Sequence, residues 1–111
     1  MTAVQTSLDA ALAAADGMAR AADHADRETP SWSDRALGCL VMWARSNPGS
    51  LWLIEDVRAY AEEAEGLPPA PDGRAWGAVA VRARRAGIIV AAGFASARSS
   101  NNSPKVLWRS S

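Results

Sequence analysis

The sequence predicts an α+β fold, mainly α, in which helices lead and a β-hairpin closes the chain. Three observations carry that expectation. Apolar residues recur at helical spacing through the segments before Gly87. Proline and glycine punctuate those segments at Thr29-Pro30-Ser31, Asn47-Pro48-Gly49 and Leu67-Pro68-Pro69-Ala70-Pro71. After Gly87, an Ile88-Ile89-Val90 run and a closing Val106-Leu107-Trp108 run flank a polar stretch, the pattern of two strands joined by a loop.

Residues 2–27 read as a helix, with Thr2 and Gln5 spaced as a capping box. Val4, Leu8, Ala11, Ala15, Met18, Ala22 and Ala25 make a narrow seam of mostly small residues that wants a partner helix, within the chain or from a second copy. Asp16–Arg20 and Asp23–Arg27 are spaced as i,i+4 pairs. Residues 1–28 are therefore set apart as an alanine-rich helical arm, and residues 29–111 as the domain proper.

Ser31 or Ser33 is placed to cap the second helix, whose Trp32, Ala36, Cys39, Leu40 and Trp43 fall on one stripe. It runs to about Arg45. Leu51-Trp52-Leu53-Ile54 is too short for a helix and reads as a brief strand. A third helix runs through Val57, Tyr60, Ala61 and Ala64, and Glu55-Asp56 at its start complement the helix dipole. The proline-rich connector cannot be helical. Asp72 then caps a helix over residues 73–86, closed by Gly87. Ser96 to Ser103 is a Ser/Asn-rich loop, and Lys105 to Arg109 returns as a strand.

From residue 31 onward the order is helix, short strand, helix, turn, helix, hairpin. That is the winged variant of helix-turn-helix, with an extra N-terminal helix and with residues 73–86 in the place of the recognition helix. On that helix Val79, Ala80, Ala83 and Gly87 lie within about 60° of Trp76 and form the inward stripe, and Gly77, lacking a Cβ, is expected to allow close packing against the preceding helix. Arg74, Ala78, Val81 and Arg85 fall opposite, flanked by Arg82 and Arg84. Arginines around two small apolar residues suit close approach to a major groove, where guanidinium forks meet guanine edges and phosphates. In the 96–103 wing, Arg98, Asn101 and Asn102 offer a cation and short hydrogen-bonding groups, with Lys105 beside them. Trp108 is expected to close the core with Trp52 and Trp76.

Charge is divided along the chain. The 111 residues sum to zero, yet residues 1–71 carry five arginines and eleven carboxylates, net −6, and residues 72–111 carry net +6. Cys39 is the only cysteine and His24 the only histidine, too few for a zinc site of about four protein ligands. Cys39 lies in an apolar helical run, where a thiol packs as a small hydrophobe. No phosphate-cradling glycine loop and no nucleophile–base pair is visible, so neither enzyme chemistry nor a metal or cofactor is expected. No run approaches the ~20 apolar residues of a membrane span, and the start lacks a basic, apolar leader, so a cytoplasmic location is expected.

Through Glu55-Asp56-Val57-Arg58, Leu67-Pro68-Pro69-Ala70-Pro71-Asp72-Gly73-Arg74-Ala75-Trp76-Gly77, Arg85-Ala86-Gly87-Ile88-Ile89 and Val106-Leu107-Trp108, the chain resembles small winged-helix proteins of bacteriophages and actinobacterial prophages. The resemblance covers about residues 31–109 and leaves the arm aside. It implies a DNA-binding regulator or replication accessory in a bacterial or phage-infected cell, with double-stranded DNA as partner and a homodimer formed through the N-terminal helix. The alternative is a protein-binding module that inhibits a host enzyme or defence complex, a use to which the acidic first part of the chain is suited.

Overall fold

Four helices and one antiparallel hairpin make up the computed structural model, which describes residues 2–96 and 104–111, with side chains over 14–95 and 105–111. In chain order they are α1 (Thr2–Glu28), α2 (Trp32–Ser46), α3 (Ile54–Glu63), α4 (Arg74–Arg85), β1 (Ile89–Ser96) and β2 (Pro104–Ser110). The chain is thus α+β and mainly helical. Helix boundaries fall within a few residues of those read from the spacing, because the same proline and glycine signals end them.

The core is organised by tryptophan. Trp32 of α2 and Trp76 of α4 are both almost fully buried and meet edge to face, ring centroids 5.3 Å apart at 77°. Ala36, Leu40, Val57, Ala61, Ala83 and Ile89 pack into the same cluster, each 0 or 1% exposed. The Trp32 indole N–H donates to the Pro68 carbonyl at 2.8 Å, which fixes the connector that leads into α4. Trp52 and Trp108 complete the core as expected.

α4 ends in a Schellman motif: Gly87 (φ 76) donates to the Arg84 carbonyl and Ile88 to the Ala83 carbonyl, both at 3.0 Å. The chain thereby turns directly into β1. The hairpin pairs Ile89 with Ser110 at one end and Ser96 with Pro104 at the other, and its register slips between Ala91 and Gly93. Ala92 is the extra residue of this bulge, and Gly93 (φ 129) supplies a backbone angle that a side chain would resist. 

Four expectations need correction. The brief strand at Leu51–Ile54 is reduced to one bridge, Trp52 with Trp108, because α3 begins at once. Asp56 accepts the Leu53 amide at 2.9 Å and donates its own amide to the Leu53 carbonyl, starting the helix inside the segment read as strand. Neither Ser31 nor Ser33 caps α2. Ser31 sits at φ 63 with no capping bond, and the Asp26 carboxylate of α1 accepts from the Ser33 amide at 2.7 Å and the Ser33 hydroxyl at 3.0 Å. The seam of α1 is rotated from its heptad reading: Ala21 and Ala25 are buried, Met18 and Ala22 are half-buried, and Ala15 is exposed. Finally, Gly77, read as easing contact with the preceding helix, faces α1 instead. A Cβ there would stand 2.5 Å from the Met18 sulfur.

α1 thus docks on α4 of its own chain, and Ala21 and Ala25 belong to the same core as the other elements. Gly17 lies at the same contact: a Cβ added there would stand 2.8 Å from an Arg74 guanidinium nitrogen, a clash that the flexible end of that side chain can relieve. 

Three substitutions test these assignments. Asp26→Ala removes the shared cap of α2 and is expected to cost about 1–2 kcal/mol in urea unfolding. Ser33→Ala, which removes only the hydroxyl bond, should cost about 0.5 kcal/mol; the reverse order would refute the capping role. Trp76→Ala should cost about 3–5 kcal/mol, enough to leave the domain largely unfolded.

Candidate nucleic-acid interface

The expected contact residues are dispersed around α4 and the hairpin. Arg74, at the first turn of α4, does not stand free. Its guanidinium folds back on Asp72, with Nη2 to Oδ2 at 2.6 Å and Nε to Oδ2 at 3.0 Å, while its backbone amide donates to Oδ1 at 2.9 Å. Asp72 thus accepts the first amide of α4 from one residue before the Gly73 cap position, close to the capping role the sequence suggests, and it also occupies the fork of donors on Arg74. Hydrogen bonds from the Arg74 side chain, then from its amide, hold the Asp72 carboxyl down to about 2.

α1 crosses the N-terminal half of α4, with Gly17 beside Arg74 and Met18 against Gly77. Ala78 and Val81 are half-buried. The face running from Arg74 through Ala78 and Val81 to Arg85 is consequently open at its C-terminal end and partly covered at the other. Nothing in the spacing of α4 alone could reveal this, because the covering group comes from a distant segment.

The last turn of α4 is different. Arg82, Arg84 and Arg85 are all exposed there. Arg82 reaches Asp34 of α2 at 2.8 Å, a solvated ion pair. Arg84 and Arg85 enter none of the ion pairs among the described residues, and neither do Lys105 and Arg109 of β2, both also exposed. Arg84 and Lys105 border one groove between α4 and β2. Arg98, Asn101 and Asn102, with most of the expected 96–103 wing, lie outside the described residues.

One exposed residue escaped the sequence reading. Phe94 of β1 is 73% exposed, an uncommon position for so large an apolar ring. Alternation from Ile89 alone would put it on the opposite face; the bulge at Ala92 returns it to the face of its partner Val106 and of Trp108, where it is nonetheless exposed, and that bulge has no sequence signal beyond Gly93 itself. Elsewhere, Cys39 is half-buried, and burial, reinforced by the Glu65 charge, pushes its thiol up, away from nucleophile behaviour. His24 lies 3.4 Å from Glu28 with about half its side chain exposed. No group of three or more histidine, cysteine or acidic side chains is placed to hold a metal among the described residues. Nor is any helix long and apolar enough to cross a membrane among them.

The Asp72–Arg74 unit makes a pH prediction. The folded carboxyl lies below its ordinary 3.8, so whatever the unit adds to stability is present above that value and is lost as pH falls through about 2. Carboxyl-detected NMR should show Asp72 titrating near 2 in the native protein and returning toward the usual range in Arg74→Ala. An unchanged midpoint in that variant would remove the assigned cause. Comparisons with protein-family models, with curated proteins and with solved structures found no match to this chain.

Proposed function

We propose that the protein is a winged helix-turn-helix DNA-binding protein of phage or mobile-element type, serving as a transcriptional regulator or replication accessory. Its elements from α2 onward follow the order of that fold, with α4 as recognition helix and the hairpin as wing. The observation that carries the reading is a set of exposed cations that enter no ion pair among the described residues: Arg84 and Arg85 on α4, Lys105 and Arg109 on β2. Such cations neutralise phosphates and supply sequence-independent affinity.

The geometry redistributes the roles. Arg82 joins the contact by leaving Asp34, at a cost of no more than about 1 kcal/mol for a solvated pair. Base reading passes to Arg82 in the last turn of α4, since Arg74 is held by Asp72 and lies beside α1. Phe94, exposed on the hairpin, has the character of an apolar wedge against a base step. One short helix reads few base pairs, so two copies on adjoining half-sites belong to this reading.

The second reading, a module that binds a host protein, is favoured by one observation: α1 lies over the half of α4 that would enter a groove. It calls for a stoichiometric protein complex and weak DNA affinity at physiological salt.

Fluorescence anisotropy with a duplex, repeated over a salt series, separates the two. On the DNA reading, four phosphate contacts give a slope of log K against log salt of roughly −3 to −4, and Arg84→Ala/Arg85→Ala makes it shallower by about 2. Absence of binding at low salt, or an unaltered slope in the double variant, counts against DNA. Phe94→Ala should weaken binding without changing the slope, because it removes no charge.

A further inference from the structure

Between α4 and β2 runs a groove of about 540 Å³, within the range of roughly 300–1,000 Å³ typical of small-molecule sites. Its buried part is apolar and aromatic: Trp76, Ala80 and Trp108, none more than 7% exposed, all line it. Met18 of α1 and Val106 of β2 add half-buried apolar walls. The polar lining is mostly cationic. Arg58, Arg84 and Lys105 border the groove, against Glu55 as the one carboxylate among the lining residues.

The cations differ in availability. Arg58 is already bonded to Glu62 at 3.1 Å, whereas Arg84 and Lys105 are exposed and enter no ion pair among the described residues. The site therefore combines an apolar interior with unspent positive charge at its border, which is complementary to an apolar body bearing an anionic oxygen group.

We propose that this groove binds a small amphipathic organic anion, its apolar body against Met18, Val81 and Val106 over the floor formed by Trp76, Ala80 and Trp108, and its carboxylate held by Arg84 and Lys105. A duplex is too broad to enter such a groove. A peptide strand has a shortened edge to add to, because β2 is bonded to Trp52 at Trp108 in both directions, at 2.8 and 3.0 Å. Met18 belongs to α1, and Gly77 and Val81 to α4, so the occupant touches both helices at their crossing. The proposal does not depend on DNA binding.

The test uses the full chain and two probes with the same ten-carbon tail, decanoate and decylammonium, in calorimetry and in ¹⁵N-correlated NMR of the indole N–H groups. Decanoate should bind saturably, one per chain and about tenfold or more tighter than decylammonium, with the Trp76 and Trp108 indole signals moving. Arg84→Ala/Lys105→Ala should weaken decanoate about tenfold and abolish the preference for the anion, with an unchanged melting curve. Arg85→Ala, outside the groove lining, should leave binding unchanged. No saturation by about 1 mM decanoate, equal affinity for the two probes, or an equal effect of Arg85→Ala would overturn the proposal.

Discussion

Everything in this chain is arranged around the contact between Trp32 and Trp76. The edge-to-face pair joins the first helix of the tryptophan core to α4, and both rings are nearly excluded from solvent. The Trp32 indole also bonds Pro68, so one side chain sets the distance between α2 and α4 and the path of the connector between α3 and α4. Aromatic pairs of this kind add about 0.5–1.5 kcal/mol beyond area burial, and here they fix geometry as well. With α4 so held, its glycine C-terminus feeds the hairpin, and Trp108 on the returning strand closes back over the core.

Much of this was legible in the residues. Helical spacing marked Trp32, Ala36 and Leu40 as inward, and all three are fully buried. Asp72 and Gly87 bracketed α4 because caps are local chemistry, written within a few residues of the ends they serve. What spacing could not show was chemistry supplied from far along the chain. The cap of α2 comes from Asp26 on another helix, so nearby serines were read in its place. The role of Gly77 was misassigned for the same reason: its partner, Met18, is remote in sequence.

The same distinction governs the candidate site. An angular projection of α4 identifies which side chains oppose Trp76, and it is correct that Arg85 and Arg82 are exposed. It cannot identify what lies on top of them. Arg74 illustrates the point: its outward direction followed from the helix, but its engagement by Asp72 and its neighbourhood with Gly17 follow from tertiary structure. Conversely, the groove between α4 and β2 is made by residues that no single periodicity connects. Its cations, Arg84 and Lys105, were read as contacts to a duplex, and the structure gives them an apolar trough between them.

The hairpin's attachment has a mechanical consequence. Its ties to the helical body gather at one end: the paired bonds between Trp52 and Trp108, the Ser110 hydroxyl on the Ala44 carbonyl, and the Ser111 amide on the Ile88 carbonyl. The bulge at Ala92 comes just beyond the Ala91–Trp108 pair, where these anchors stop. The hairpin is therefore clamped at its root, with a built-in bend at the clamp. The root is held by hydrogen bonds, whereas beyond the bend the hairpin meets the body through apolar packing of Val106 on the core, so the two stretches are attached by different chemistry.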